Sequence, residues 1–279
     1  MRPIGLRDGL TFPEGPRWHD GRLWFSDFYS HRVLALSLDG RMETMATVDQ
    51  LPSGLGWMPD GDLLVVSMLD RKLLRQHSGR LTVHADLATL AGGPCNDMVV
   101  DRQGRAYVGN FGYERFQGAA EQPAALIRVD PDGATRVAAT GLRFPNGSVI
   151  TPDGKTLIVG ETMGNRLTQF SIGPDGELAA SRTFARVEGL FPDGICLDAE
   201  GAVWVADPRG NRVVRVREGG EIVQTIPLPG RNAYACMLGG VDRRTLFICT
   251  APGSGPEREG KTDGKIEIIE VTVPGAGLP

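Results

Sequence analysis

Clustered positive charge, long apolar runs and export signals are all missing from this sequence of 279 residues. The formal net charge is −4 and no run of Lys or Arg occurs, whereas nucleic-acid binding requires a clustered basic face. No segment approaches the roughly 18 consecutive apolar residues of a membrane span. The N-terminal segment MRPIGLRDGLTF lacks the apolar stretch of a signal peptide. We therefore expect a cytoplasmic protein that binds neither nucleic acid nor membrane.

The motifs of cysteine and serine chemistry are absent too. The four cysteines form no CxxC pair, so zinc and thioredoxin chemistry are disfavoured and reduced, buried thiols are expected. No GxSxG motif occurs, and the four histidines all lie between residues 19 and 84, in turns or outer strands. Nucleophilic catalysis by Ser or Cys is therefore disfavoured. The cysteines are Cys95, Cys196, Cys236 and Cys249.

Helical periodicity is also scarce, and a β-type repeat takes its place. Short apolar segments joined by tight turns recur with a spacing of 40 to 50 residues. Asp-Gly and similar pairs supply the positive φ that hairpin turns need. A period in the forties with about four strands is typical of a propeller blade. The six turn positions are Gly21, Gly61, Gly104, Gly154, Gly201 and, in the weakest copy, Arg243.

Six copies of this unit predict an all-β fold. We expect a six-bladed β-propeller with four-stranded antiparallel blades around a central channel, forming one domain over residues 1–279. The C-terminal segment KIEIIEVTV should pair in the sixth blade, and the N-terminal residues should supply its outer strand. This pairing would close the ring between the two ends of the chain. The lack of an exposed apolar run favours a monomer.

Aligning the repeats predicts a polar site at the start of the innermost strands. The residue seven or eight places before each turn position would face the channel axis. Two carboxylates and two carboxamides then converge there, a hard-oxygen set that suits Ca²⁺, Mg²⁺ or Mn²⁺ better than Zn²⁺ or copper. The alternative is that each is an ordinary turn or cap residue. The six residues are Glu14, Ser53, Asn96, Asn146, Asp193 and Ala235.

The sequence around these positions resembles that of a known family. The segments FPEGPRW, CNDMVVDRQGRAYVG, FPNGSVITPDGKTLIV, FPDGICLDAEGAVWVA and ACMLGGVDRRTLFICTA cover nearly the whole chain. In this combination and order they resemble the family of senescence marker protein 30, gluconolactonase and luciferin-regenerating enzyme. The resemblance implies a six-bladed propeller with one divalent cation at the channel mouth and, usually, lactone hydrolysis. We expect Ca²⁺, with Zn²⁺, Mn²⁺ or Mg²⁺ as alternatives.

The same resemblance assigns roles to individual residues. It implies Glu14, Asn146 and Asp193 as the metal ligands and Asn96 as the residue beside the metal that contacts water or substrate. Asp97 would be an acid in or behind the pocket. In this hypothesis the cation polarises a lactone carbonyl, and either Asp193 or Asp97, acting through a water, removes the proton from the attacking water.

One position departs from the family's pattern. Members that act on sugar lactones tend to carry an Arg two places before the equivalent of Asn96, where this chain has Pro94. Phe111, Tyr113 and Phe116 lie nearby in the longest insertion, roughly residues 111–125, which we expect to contribute to substrate binding at the channel mouth. Together these features predict a lactone or ester less polar than a sugar lactone.

Two other classes of function stay open at this point. The chain could be a non-catalytic propeller that keeps the cation for stability and binds a small ligand or a partner. It could also be a metal-dependent isomerase on the same scaffold, because a fold does not fix a chemistry. The preferred prediction is a metal-dependent lactonase or carboxylic-ester hydrolase.

Overall fold

Twenty-four strands form six four-stranded antiparallel sheets in the computed structural model, which describes residues 2–279. Each of the first five sheets contains four consecutive strands in chain order. The predicted six-bladed β-propeller is thereby confirmed. The strands of the first three blades are β2 (Pro13–His19), β3 (Arg22–Asp27), β4 (Arg32–Leu36) and β5 (Met42–Thr47); β6 (Pro52–Trp57), β7 (Leu63–Ser67), β8 (Lys72–His77) and β9 (Arg80–Asp86); and β10 (Cys95–Val100), β11 (Ala106–Asn110), β12 (Ala124–Val129) and β13 (Thr135–Leu142).

The remaining blades follow the same plan, with a different origin for one strand. The sixth blade takes its outermost strand, β1, from the start of the chain. Its other three strands come from the last fifty residues or so. The strands are β14 (Pro145–Ile150), β15 (Thr156–Glu161), β16 (Arg166–Ile172) and β17 (Leu178–Arg186); β18 (Ile195–Leu197), β19 (Val203–Asp207), β20 (Arg212–Val216) and β21 (Ile222–Pro227); and β22 (Asn232–Gly239), β23 (Thr245–Ala251), β24 (Gly264–Glu270) and β1 (Ile4–Leu10).

The ring is closed by pairing between the two ends of the chain, as the sequence predicts. Strand β1 pairs antiparallel with β24, with Ile4 opposite Ile268 and Leu10 opposite Gly264. Trp18 of the first blade stacks on Phe247 of the sixth, with 5.4 Å between the ring centroids. Backbone hydrogen bonds therefore join the start of the chain to the sixth blade, and aromatic packing joins the first blade to the sixth.

Hairpin chemistry explains the repeat. Gly21 has a φ of 71° and follows Asp20 at 48°, so the Asp-Gly pair supplies the two positive φ values of a tight hairpin turn. The sixth copy places Arg243 at the equivalent point with a φ of 60°. A non-glycine residue in this left-handed region is uncommon, which explains why the sixth copy is the weakest match in sequence.

Apolar side chains fill the spaces between neighbouring blades. The middle strands are buried on both faces, so they are apolar almost throughout rather than alternating; all five residues of β7 and of β19 are buried. Trp204 and Phe247 are among the largest fully buried side chains and belong to one cluster spanning blades five, six and one. Packing between blades thus holds the inner strands in fixed positions around the channel.

The segment after β24 crosses one end of the channel. Leu278 forms a β-bridge with Ile150, and Gly275 forms another with Asp198. Gly277 has a φ of 75°, and a Cβ there would lie 2.4 Å from the Ile150 carbonyl oxygen, so the close approach requires glycine. This C-terminal segment contacts the last residues of the inner strands, at the opposite end from their starts. Among residues 2–279, helices are confined to single 3₁₀ turns, and none has the length and apolar character needed to cross a bilayer.

Candidate active site at the channel mouth

The starts of the six innermost strands are irregular in a way that aims side chains into the channel. In five blades the register with the second strand shifts at this point, which indicates a β-bulge. Bulges leave a residue unpaired and redirect its side chain. Asn96 lies between paired residues Cys95 and Met98, and Asn146 lies between Pro145 and Ser148.

A glycine next to the polar position lets adjacent inner strands approach closely. A Cβ at Gly147 would lie 2.5 Å from the Ile195 amide nitrogen, and one at Gly194 would lie 2.4 Å from the Ala235 Cβ. A Cβ at Gly54 would lie 2.5 Å from the Met98 amide nitrogen. The polar-glycine pair in these repeats is therefore a packing requirement as well as a turn signal.

The predicted polar residues are joined by hydrogen bonds around part of the channel mouth. Asn96 Nδ2 donates to Asn146 Oδ1 over 2.8 Å, and Asn146 Nδ2 donates to Asp193 Oδ1 over 2.7 Å. Asn146 Nδ2 also lies 3.1 Å from Thr162 Oγ1. Ser53 Oγ is 3.3 Å from Asn96 Oδ1. Residues from the second to the fifth blade thus form one connected chain of polar groups.

Glu14 completes the group from the first blade. Its Oε2 accepts a hydrogen bond from the Gly15 amide over 2.7 Å. Burial and the charge of Asp193 raise the pKa of Glu14 well above its usual range. Burial also raises the pKa of Asp193 to about 7, against the opposing effects of Arg115 and of the hydrogen bond from Asn146. Two carboxylates that face one cavity are thus each held in an environment unfavourable to negative charge.

The donor set fits a divalent cation. Neither Glu14 nor Asp193 makes an ion pair with a Lys, Arg or His within the described part of the chain. No group of three or more His, Cys, Asp or Glu that could hold a metal occurs among residues 2–279, so carboxamide oxygen and water would have to complete the coordination. Carboxylate and carboxamide oxygens are ligands for hard cations. A bound cation would also offset the desolvation of the two carboxylates.

These residues lie at the floor of a cavity of about 570 Å³ at the channel mouth. Eight of the 22 lining residues are aromatic, and the others include polar side chains such as Asn211 and Asn232; Phe12 and Tyr234 have ring centroids 4.6 Å apart, and Phe111 and Phe144 lie 4.5 Å apart. Such a cavity suits a small organic molecule that contacts both aromatic rings and polar side chains. The aromatic residues are Phe12, Phe28, Tyr29, Phe111, Phe116, Phe144, Phe191 and Tyr234.

The structure brings most of the predicted site residues together, and three of those given a metal, catalytic or substrate-binding role lie outside the cavity lining. Pro94 is buried behind the wall, where its carbonyl oxygen accepts the Phe111 amide over 3.0 Å. Tyr113 lies beside Gly93, where its backbone would meet any Cβ. The third is Asp97. The predicted residues that do line the cavity are Glu14, Asn96, Asn146, Asp193, Phe111 and Phe116.

Asp97 points between the inner strands. Its Oδ1 accepts from the Arg17 guanidinium over 2.5 Å and from the Met98 amide over 2.8 Å. The same guanidinium donates to the Met98 and Leu55 carbonyl oxygens. The repeat explains this direction, because Asp97 occupies the place that Gly15, Gly54, Gly147 and Gly194 hold in other blades. Both carboxylate and guanidinium are almost fully buried, which indicates a structural ion pair under the cavity floor.

Several residues of the cavity lining are not among the predicted site residues. Phe12, Phe144 and Phe191 each stand two places before a predicted polar residue, so extending the same repeat alignment by two residues would have identified them. Arg115 and Arg209 lie in loops at the rim. Arg115 lies in a long loop without a counterpart in the neighbouring blades, so the repeat gives no signal for it, whereas Arg209 lies in a four-residue loop that recurs in four blades, where it holds the place of Tyr29 and Met163.

Comparison with known proteins agrees with this architecture. A family model described as "SMP-30/Gluconolactonase/LRE-like region" matches residues 12–252. A 6-deoxy-6-sulfogluconolactonase from Pseudomonas putida is 29% identical over 294 aligned positions, covering 98% of this chain and 96% of that protein. A pentonolactonase from Haloferax volcanii is 26% identical over 260 positions, covering 90% of this chain and 85% of that protein.

A solved structure extends the comparison. The calcium-binding protein regucalcin from Agrobacterium tumefaciens superimposes with a TM-score of 0.81, covering 100% of this chain and 97% of that one at 22% identity. At this identity the likeness shows the fold alone. The family match covers most of the chain, including all six starts of the inner strands, and it confirms the resemblance read from the sequence. The chain belongs to the SMP-30/gluconolactonase/LRE-like family.

Proposed function

We propose that this chain is a divalent-cation-dependent hydrolase that opens a lactone or a related ester in the cavity at the channel mouth. The observation that carries the proposal is the convergence of Glu14, Asn146 and Asp193, from three blades, on the floor of one cavity. No cationic side chain among residues 2–279 makes an ion pair with either carboxylate. Two curated relatives that match nearly the whole chain are lactonases by name. Membership of the family supports lactone hydrolysis as the reaction.

The residues that would hold the cation are Glu14, Asn146 and Asp193. When bound, a divalent cation supplies a Lewis acid for an ester carbonyl and lowers the pKa of water. We expect Ca²⁺, because the available donors are carboxylate and carboxamide oxygen atoms. Zn²⁺, Mn²⁺ and Mg²⁺ are the alternatives that the reloading experiment below compares.

The surrounding side chains would position the reactants. The Asn96 amide, fixed by its hydrogen bonds to Ser53 and Asn146, presents a polar group beside the reacting carbonyl. Asp193 accepts a side-chain hydrogen bond at Oδ1 alone within residues 2–279, which leaves Oδ2 as the acceptor for a proton from the attacking water. Asp97 has no access to the cavity because Arg17 holds it, so we assign the proton transfer to Asp193.

The overall reaction adds one water to the ester. A bond forms between the water oxygen and the carbonyl carbon, the ring C–O bond breaks, and the proton taken by Asp193 passes to the departing alkoxide. The product is an open-chain hydroxy acid. The aromatic walls would hold the body of the substrate and exclude water from it, which supports a lactone with a less hydroxylated body than a sugar lactone.

Metal removal and reloading test the proposal. The protein is stripped with a chelator and reloaded separately with Ca²⁺, Mn²⁺, Mg²⁺ or Zn²⁺, and proton release is followed with aldonolactones, aliphatic γ-lactones and aryl esters. We expect turnover that depends on the cation and is lost in Glu14→Gln and Asp193→Asn. Calorimetric titration of the cation should show weaker binding to both variants.

A matched control tests whether the effect of Glu14→Gln is specific to that carboxylate. Glu43→Gln removes an exposed carboxylate of β5 in the same blade and should change neither cation affinity nor turnover. Tight cation binding without turnover on any substrate would overturn the hydrolase proposal and favour a ligand-binding propeller. Full turnover in chelated protein would remove the cation from the mechanism.

A further inference from the structure

Two arginines stand at the rim of the cavity, on loops from different blades. Arg115 lies in the loop between β11 and β12, and Arg209 lies in the loop between β19 and β20. These loops belong to the third and fifth blades and flank Thr162 and Met163 of the fourth. The cavity therefore combines a carboxylate floor, aromatic walls and positive charge at one side of its opening.

Both guanidinium groups rest on aromatic rings of the cavity wall. The Arg115 Cζ lies 5.6 Å from the centroid of Phe144, which belongs to the neighbouring blade. The Arg209 Cζ lies 4.0 Å from the centroid of Phe191. Stacking on a ring face restricts the motion of the arginine side chain. The N–H donors, which point outward in the plane of the guanidinium, remain available for other groups.

Neither arginine makes an ion pair within the described residues, although the charge of Arg115 reaches Asp193 and lowers the pKa of that carboxyl against the effect of burial. The adjacent acids are engaged elsewhere: Glu114 pairs with Arg71, and Asp207 pairs with Arg212 over 2.9 Å. Two guanidinium groups without an ion pair in the described residues therefore stand at the same cavity mouth, each held against an aromatic ring.

We propose that Arg115 and Arg209 bind an anionic substituent of the substrate, so that the preferred lactones carry a carboxylate, sulfonate or phosphate group away from the reacting ester. This inference rests on the proposed function and names the substrate class for the same site. The floor repels an anion through Glu14 and Asp193 unless a cation is present, whereas the rim attracts one. An anionic lactone would therefore enter with its charged group outward and its ester toward the floor.

The two rim arginines add a charge requirement to the substrate expected from Pro94 alone. The chain has Pro94 at the position where an arginine could hold sugar hydroxyls. Arg115 and Arg209 instead place positive charge at the rim of the cavity. Guanidinium groups bind oxyanions through paired N–H donors. The substrate expected here has an apolar or lightly hydroxylated body together with a negative charge.

A matched pair of lactones tests this preference. The lactone 5-oxotetrahydrofuran-2-carboxylate and its neutral analogue with a hydroxymethyl group in place of the carboxylate share the same reacting ring. We expect kcat/KM to be about tenfold higher for the anionic lactone, because a hydrogen-bonded charge contact is worth roughly one such factor or more. The ratio should fall as salt rises from 20 mM to about 500 mM, since exposed charges are screened.

Substitutions at the rim locate the effect. Arg115→Gln and Arg209→Gln should each lower the ratio of anionic to neutral kcat/KM about three- to tenfold. Arg217→Gln is the control, because it removes an exposed arginine of the fifth blade that pairs with Glu221 away from the cavity. An equal kcat/KM for the two lactones, or a ratio unchanged in both rim variants, would overturn the inference while leaving the hydrolase proposal intact.

A binding measurement keeps the inference testable if turnover is absent. Tetrahydrofuran-2-carboxylate cannot be hydrolysed and carries the same anionic group. In chelator-treated protein, where no cation at the floor can attract it, we expect it to bind more tightly to the native chain than to the double variant Arg115→Gln/Arg209→Gln. Equal binding to both proteins would show that the two arginines are solvated rim residues without a ligand role.

Discussion

The Arg17 guanidinium and the Asp97 carboxylate join the first blade to the third beneath the cavity floor. Their closest atoms are 2.5 Å apart, and both side chains are almost fully buried. The guanidinium also donates to the Leu55 carbonyl oxygen of the second blade over 3.0 Å. One side chain thus connects three consecutive inner strands at the level where the polar residues of the site begin.

Removing one partner of this pair should destabilise the protein strongly. Asp97→Asn leaves the buried Arg17 charge uncompensated, and breaking a buried ion pair in this way costs about 3–5 kcal/mol. Chemical unfolding followed by tryptophan fluorescence would measure the change. Glu218→Gln, in an exposed pair with Arg182, is the control and should leave the midpoint almost unchanged. Native stability together with lost turnover in Asp97→Asn would instead assign Asp97 a direct role in the reaction.

A methyl group at Gly147 should disturb both packing and the site. Its Cβ would lie 2.5 Å from the Ile195 amide nitrogen and 2.6 Å from the Asp193 carbonyl oxygen, so strand β18 must move. We expect Gly147→Ala to lower the free energy of unfolding by about 1–3 kcal/mol and to weaken cation binding several-fold. Gly5→Ala, where the nearest atom would be 3.8 Å away, should do neither. Unchanged cation affinity in Gly147→Ala would show that the site tolerates a shift of this strand.

The N-terminal strand should be necessary for a stable ring. Deleting residues 1–6 removes the pairs that Ile4 and Gly5 make with β24 and exposes the edge of that strand. We expect a lower melting temperature and a tendency to associate, measured by calorimetry and by light scattering. Replacing Ile4 alone, a side chain that is 65% exposed, with Ser should have little effect. A truncated chain that melts at the same temperature as the full chain would contradict the role of β1 in closing the ring.

The cysteines should be unreactive in the folded protein. All four are buried, and burial raises the pKa of Cys95 to about 12 and those of Cys236 and Cys249 well above their usual range. Because the thiolate is the reactive form, a thiol reagent at pH 8 should label none of them until denaturant is added, when four should react. Rapid labelling of any thiol in the native protein would show that its strand opens locally.

The fold and the floor of the site could be predicted because both follow from the repeat. Turn residues with positive φ mark each blade, and the residue seven or eight places before each of them predicts the site residues Glu14, Asn96, Asn146 and Asp193. The direction of the Asp97 side chain is harder to predict from the sequence. It depends on a bulge, and only comparison with the glycine at the same place in other blades indicates that its side chain points between strands.

The rim of the cavity could not be predicted by the same means. Arg115 comes from a long loop without a counterpart in the neighbouring blades, and Arg209 comes from a four-residue loop that recurs in four blades but carries a different residue at this place in each. Periodicity carries information about what is common to the blades. Substrate preference, in contrast, depends on the positions at which the blades differ.

The path of the C-terminal segment determines on which face of the propeller Pro279 lies. Residues 275–278 are hydrogen-bonded to the far ends of the inner strands, so Pro279 lies on the face opposite the cavity. A segment joined after Pro279 would leave the propeller on that face. Tethering the protein through this point, to a surface or to a second domain, would leave the cavity open to solution with its arginine rim directed outward.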